Sequence, residues 1–205
     1  YPAMMERLNI NEMIMRPLFN TMSFVAVLIL MPMLTMRVFS EEKKTGTIEL
    51  ILTSPVKDWH VILGKFFAAF TLFAIMVGLT VIYPLVLQLY GDPDWGPIWT
   101  GYVGLLLVGG SIITIGLFVS SMTENQIIAG VVCFGVALFL WSLDFAAGTI
   151  SGQLGEVLGY LSVLRHFNTF EKGILDSMDC LFFVSFIYFG LFITVRSLES
   201  PRWRA

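Results

Sequence analysis

Charge is scarce in this chain. Of its 205 residues only 13% are Asp, Glu, Lys or Arg, against 57% hydrophobic, and the mean hydropathy is +0.82. That balance excludes an ordinary soluble domain of this length and marks an integral membrane protein. The formal charge is -3, with no basic stripe or cationic tail, so nucleic acid is excluded as a partner. Cysteine is equally sparse: Cys133 and Cys180 both sit in or beside apolar runs, where a small thiol packs well and a disulfide framework has no purpose.

Other absences narrow the chemistry. No G-x-x-x-x-G frame is followed by Lys and Ser or Thr, the one at Gly91 to Gly96 running on into Pro97 and Ile98, so no phosphate-binding loop is present. The first residues lack the basic stretch and short apolar core of a signal peptide, and no internal repeat or low-complexity tract is visible. Glu41 and Glu42 are adjacent, as in some intramembrane proteases, but the later spans lack the histidines such an enzyme needs. Most of the 11 methionines precede Arg37, where flexible apolar packing explains them better than soft-metal binding. The reading is therefore of a non-enzyme with no catalytic, cofactor or metal residues.

What is present is long apolar runs. A helix needs about 20 mostly apolar residues to cross a hydrocarbon core of about 30 Å. Five stretches qualify: roughly Leu18 to Val38, Ile62 to Leu89, Ile98 to Val119, Ile127 to Ala147 and Met178 to Leu198. An all-α, polytopic helix bundle in the lipid bilayer follows. Pro32 and Pro84 fall inside two spans and predict kinks. Asp144 is the acid well inside an apolar run, close to a span end where solvation accounts for it. Gly109, Gly110, Ser111, Gly116, Gly130 and Gly135 offer positions for close helix contact.

Orientation follows from the 12 cationic residues, because lysine and arginine are retained on the cytoplasmic side. Arg37, Lys43, Lys44, Lys57, Lys65, Arg196, Arg202 and Arg204 fall on one side, against Arg7, Arg16, Arg165 and Lys172 on the other. Residues Phe39 to Trp59 and the C-terminus are thus expected in the cytoplasm and the first residues outside. GDPDWGP, Gly91 to Pro97, is flanked by interfacial Tyr90, Trp95, Trp99 and Tyr102 and belongs outside. His60 and His166 then lie on opposite sides and share no metal or proton relay. Between Gly148 and Ser177, Ile150, Leu154, Val157, Leu158, Leu161 and Leu164 keep helical spacing and predict one amphipathic helix at the outer interface.

The most polar long interval is FSEEKKTGTIELILTSPVKDW, Phe39 to Trp59. Gly46 can start a helix in which Ile48, Ile51 and Leu52 share a face with Glu49 beside it. Pro55 disfavours helical geometry in Ser54, so Ser54 reads as an N-cap and Pro55 as the first residue of a second helix, with Asp58 near its positive end. Such an element could lie on lipid or dock in a groove on another protein.

The run Leu34 to Phe66 resembles the segment between the second and third membrane helices of type-2 ABC transporter permeases (ABC-2), especially the gliding-motility-associated branch. The residues that carry the resemblance are Glu42, Gly46, Thr47, Glu49, Ile51, Leu52, Ser54, Pro55, Gly64 and Lys65. The family has six membrane helices and a cytoplasmic N-terminus, whereas this chain shows five and begins outside. The resemblance accordingly implies that residues 1–205 form one ABC-2 type transmembrane domain lacking its first helix. It further implies an exporter permease in a prokaryotic cytoplasmic (inner) membrane, pairing with a second permease subunit as homo- or heterodimer and with a separate ABC ATP-binding subunit that hydrolyses ATP.

On that reading the polar helix is a coupling helix formed by Glu42, Gly46, Thr47, Ile48, Glu49, Ile51, Leu52, Ser54 and Pro55. Gly46 permits the tight turn into it, Ile48, Ile51 and Leu52 fill the ATPase groove, and Glu49 pairs with a basic residue there. A secondary transporter, or a polytopic scaffold without an ATPase, is the alternative.

Overall fold

A computed structural model describes residues 11–49, 57–150 and 152–199. It contains helices α1 (Met13–Lys44), α2 (Asp58–Tyr90), α3 (Trp95–Met122), α4 (Gln126–Thr149), α5 (Gln153–Leu161), α6 (Val163–Glu171) and α7 (Ser177–Glu199), with no strand among the described residues. α1, α2, α3, α4 and α7 are long and apolar enough to cross a membrane, and each contains one of the five expected stretches. The expected all-α bundle is what forms.

Backbone chemistry sets several helix starts. The Asp94 carboxylate accepts from Gly96 N–H at 3.0 Å at the start of α3, and Asn125 Oδ1 accepts from Ile127 N–H at 2.9 Å at the start of α4. Each side chain satisfies a donor that the first helical turn leaves without a partner.

α3 is the centre of the bundle. In its most apolar window 72% of residues are buried, against 17% in α2, 28% in α4 and 22% in α7. The outer helices turn large side chains such as Leu79, Val131 and Phe189 away from the protein, as lipid-facing surfaces do. Because lipid tails are as apolar as leucine, such helices associate by close packing rather than by hydrophobic exclusion. Glycine supplies it here: a methyl at Gly109 would collide with the Phe73 ring on α2, and one at Gly116 with Thr35 on α1.

The regular helical bonding is interrupted ahead of both prolines, by different means. Pro32 has no N–H to give the Leu28 carbonyl, and the turn before it is widened, with Met31 N–H donating to the Ala26 carbonyl five residues back. Four residues before Pro84, α2 breaks at Thr80 and Val81, where N–H groups donate three residues back to Val77 and Gly78. The Thr80 hydroxyl, 2.6 Å from the Val77 carbonyl and 3.3 Å from Tyr102 Oη, fastens the break to α3.

The single outer amphipathic helix expected between Gly148 and Ser177 is instead two. Ser162 is extended, ends α5 and caps α6 by accepting from Arg165 N–H at 3.2 Å. α5 buries Gly155 and Gly159 beside Ala147 of α4, leaving Leu154, Val157 and Leu161 exposed. α6 is inserted against α3, where Phe167 and Phe170 are buried and the Thr100 hydroxyl donates to the Phe170 carbonyl at 2.9 Å.

Candidate functional site

The polar interval leaves the bundle from a turn at Met36 to Phe39, beyond which one more helical turn, Ser40–Lys44, completes α1. Phe39 is buried here, and its N–H and that of Ser40 donate to Ser120 Oγ on α3 at 2.9 and 3.0 Å. Ser120 Oγ lies 3.3 Å from the Met36 carbonyl, to which the Ser40 hydroxyl also donates. From α2, Lys65 Nζ reaches the Val38 carbonyl at 2.7 Å and Glu42 Oε1 at 2.6 Å, and stands 4.6 Å from the centre of the Phe39 ring. Beside Ser120, Ser121 Oγ is 2.9 Å from Ser197 Oγ, so α7 joins the same end of the bundle.

Gly46 sits just past the end of α1 and leads into the next helical residues. Its φ is +74°, its N–H donates to the Lys43 carbonyl at 3.2 Å, and its carbonyl accepts from Glu49 N–H at 3.3 Å. A left-handed residue just past the last turn is where glycine is favoured over any residue with a Cβ. Thr47 Oγ1 lies 3.0 Å from Thr45 Oγ1, closing the turn from outside. Helical geometry resumes at Ile48 and Glu49: Ile48 packs against the core and Glu49 is exposed.

Ile51, Leu52, Ser54 and Pro55 lie outside the described residues. The helix expected to run from Pro55 into the span begins only at Asp58, because Lys57 is extended, with ψ 137°, and serves as its N-cap. Thus Glu42, Gly46, Thr47, Ile48 and Glu49 form one continuous turn. Glu42 faces inward to Lys65 while Glu49 faces outward.

The opposite end of the bundle holds a second buried polar group. His166 Nδ1 of α6 is 2.6 Å from Asp179 Oδ1 of α7, its Nε2 donates to the Tyr160 carbonyl at 2.8 Å, and its ring stacks on Phe182. Nearby, burial pushes the Glu171 carboxyl up from 4.5 to about 7, opposed by the Arg16 and Lys172 charges. Between α1 and α2 an open apolar groove of about 630 Å³ is lined by Leu18, Met22, Val25, Phe73, Val77 and Leu105 among others. Sequence reasoning gave Ser120, Ser121 and Ser197 no role; nothing local connects Ser120 to Phe39, 81 residues earlier.

Residues 8–170 match the family model described as ABC-2 family transporter protein. The chain belongs to the ABC-2 transporter family. Among curated proteins, this ABC-2 chain is 25% identical over 140 residues to "Probable multidrug ABC transporter permease YbhR" of Escherichia coli K12. The same identity holds for the protein of that name in Escherichia coli O157:H7. The match covers 66% of this chain and 37% of the relatives, so the chain spans well under half of their length. No solved structure matches it. With its apolar helices, family membership makes it a multi-pass membrane protein.

Proposed function

We propose that this chain is the membrane-spanning permease of an ATP-driven ABC exporter, and that residues 42–55 receive a separate ATP-binding subunit. The observation that carries the reading is the charged turn at Gly46, which projects from an end of the bundle fastened to three membrane helices. A load applied there reaches the spans through contacts rather than through a nucleotide site in this chain. In this arrangement the exposed Glu49 meets the ATPase, while Ile48 seats the start of the helix against the bundle.

The lysine and arginine distribution supports a cytoplasmic place for the segment, and in this reading a second permease subunit completes the assembly in a prokaryotic inner membrane. Within the family, the assignment proposed is to the gliding-motility-associated branch, and it rests on the resemblance of the motif from Glu42 to Lys65 alone. The break in α2 would suit a secondary transporter, whose sites use interrupted helices. The apolar lining of the adjoining groove disfavours that reading, since it offers a coupling ion little to hold.

Reconstitution with the ATPase tests the proposal. Glu49→Lys and Gly46→Trp should lower stimulated ATP hydrolysis or subunit assembly while membrane insertion stays normal, and full coupling in both variants rejects it. Single cysteines at Thr45 and Asp94, in a background lacking Cys133 and Cys180, should label from opposite sides of the membrane.

A further inference from the structure

The bonds at the end of α1 converge on one short piece of chain. Ser120 Oγ accepts two successive backbone N–H groups, from Phe39 and Ser40, and has its own proton directed at the Met36 carbonyl. A hydroxyl has one donor and two acceptor positions, so this one is saturated. Lys65 is engaged just as fully: its ammonium meets the Val38 carbonyl, the Glu42 carboxylate and the face of Phe39. Between them, α2 and α3 grip residues 36–42 at backbone and side-chain positions within two helical turns. Ser120 and Phe39 are buried and the Lys65 side chain is 19% exposed, so water competes little for these bonds.

We propose that Lys65 and Ser120 are positioning residues that clamp residues 36–42, so that a displacement of the turn at Gly46 moves the near ends of α2 and α3 together. The clamp rests on the reading of that turn as the ATPase contact and supplies its route into the bundle. Either bond set alone would tie residues 36–42 to one neighbouring helix only. With both in place, the polar segment cannot tilt without carrying two spans, one of them the central helix. Ser121 then passes the load to α7 through Ser197.

The clamp and its parent reading are tested separately. In lipid nanodiscs without any ATPase, nitroxide labels at the exposed positions Thr45 and Met122, in a background lacking Cys133 and Cys180, report how firmly the turn is held to α3. Lys65→Gln and Ser120→Ala should each widen that distance distribution about twofold, and Lys65→Arg should restore it, since charge-assisted hydrogen bonds are the stronger kind. Unchanged distributions in both variants overturn the clamp whatever the ATPase does. Because the two variants cut it from different helices, misfolding of one leaves the other decisive.

In the reconstituted transporter, Lys65→Gln should keep the ATPase bound and hydrolysing while transport per ATP falls roughly tenfold, as loss of a hydrogen bond to a charged group suggests. Retained transport per ATP also overturns the clamp. If the unaltered chain fails to bind the ATPase, the parent reading falls, and the nanodisc distances still decide whether the clamp exists.

Discussion

Gly116→Ala probes how tightly α1 and α3 meet. The added methyl would overlap Oγ1 and Cβ of Thr35. Thr35 is fully buried, and its hydroxyl donates to the Met31 carbonyl at 2.7 Å, so it cannot rotate away without losing that bond. Overpacking costs about 1–3 kcal/mol and the strained hydrogen bond about 1 more, offset by about 1 from replacing glycine in a helix. The net is about 2 kcal/mol, which for a chain of this size lowers the melting temperature by roughly 4–8 °C.

The comparison is Gly135→Ala on α4, where an added methyl meets nothing within 4 Å and only the helix-propensity gain remains. Thermal unfolding in nanodiscs, followed by near-UV circular dichroism, measures both. Thr35→Ala removes two of the three nearest atoms, so the double variant Gly116→Ala/Thr35→Ala should recover part of the loss as a coupling energy. Equal stability of Gly116→Ala and Gly135→Ala would refute a close crossing of α1 and α3 at this point.

Three other outcomes are expected. Glu171 holds its proton in the folded chain up to about pH 7, whereas the unfolded chain loses it near 4.5, so stability falls as pH rises through that interval; Glu171→Gln should flatten the fall in a melting-temperature series from pH 4 to 8. His166→Ala leaves the Asp179 carboxylate buried beside Phe182 without its partner, at a cost of roughly 3 kcal/mol, and Asp179→Ala should return part of it in a double-mutant cycle. Pro84→Ala supplies an N–H for the Thr80 carbonyl and should straighten α2, read as a lengthened spin-label distance between its two ends.

The spans were legible because a run of apolar residues long enough to cross lipid has few competing explanations. The outer segment was less so. The stripe from Ile150 to Leu164 identifies residues on a common face, but that face meets the surroundings in α5, where Leu154 and Val157 are exposed. Phe167 and Phe170, buried against α3 in α6, lay outside the stripe. Periodicity does not distinguish a face turned to lipid from one turned to protein, and the break at Ser162 depends on a cap visible only once α6 is in place.

At the polar turn, Gly46 was expected to lead into a helix, and its carbonyl does accept from Glu49 N–H; what sequence did not indicate is that its positive φ also closes the end of α1. Lys65 could be read as interfacial, yet its partners Val38 and Glu42 lie 27 and 23 residues away. Such bonds follow from how helices are arranged, which the sequence around either partner does not encode.

The interruption of α2 at Thr80 divides that helix into a long arm of 22 residues, Asp58–Leu79, and a short arm of nine, Ile82–Tyr90. A rod would deliver a push at one end to the other, whereas a jointed strut dissipates it at the joint. The long arm lies along α3, with Phe73 against Gly109, while the short arm, its Ile82, Leu85, Leu89 and Tyr90 exposed, is tied back to α3 at the joint through Thr80 and Tyr102. The apolar groove is bounded by Phe73 and Val77 before the joint and by Tyr83 beyond it, so a swing of the short arm would change its mouth while its wall on the long arm stayed in place.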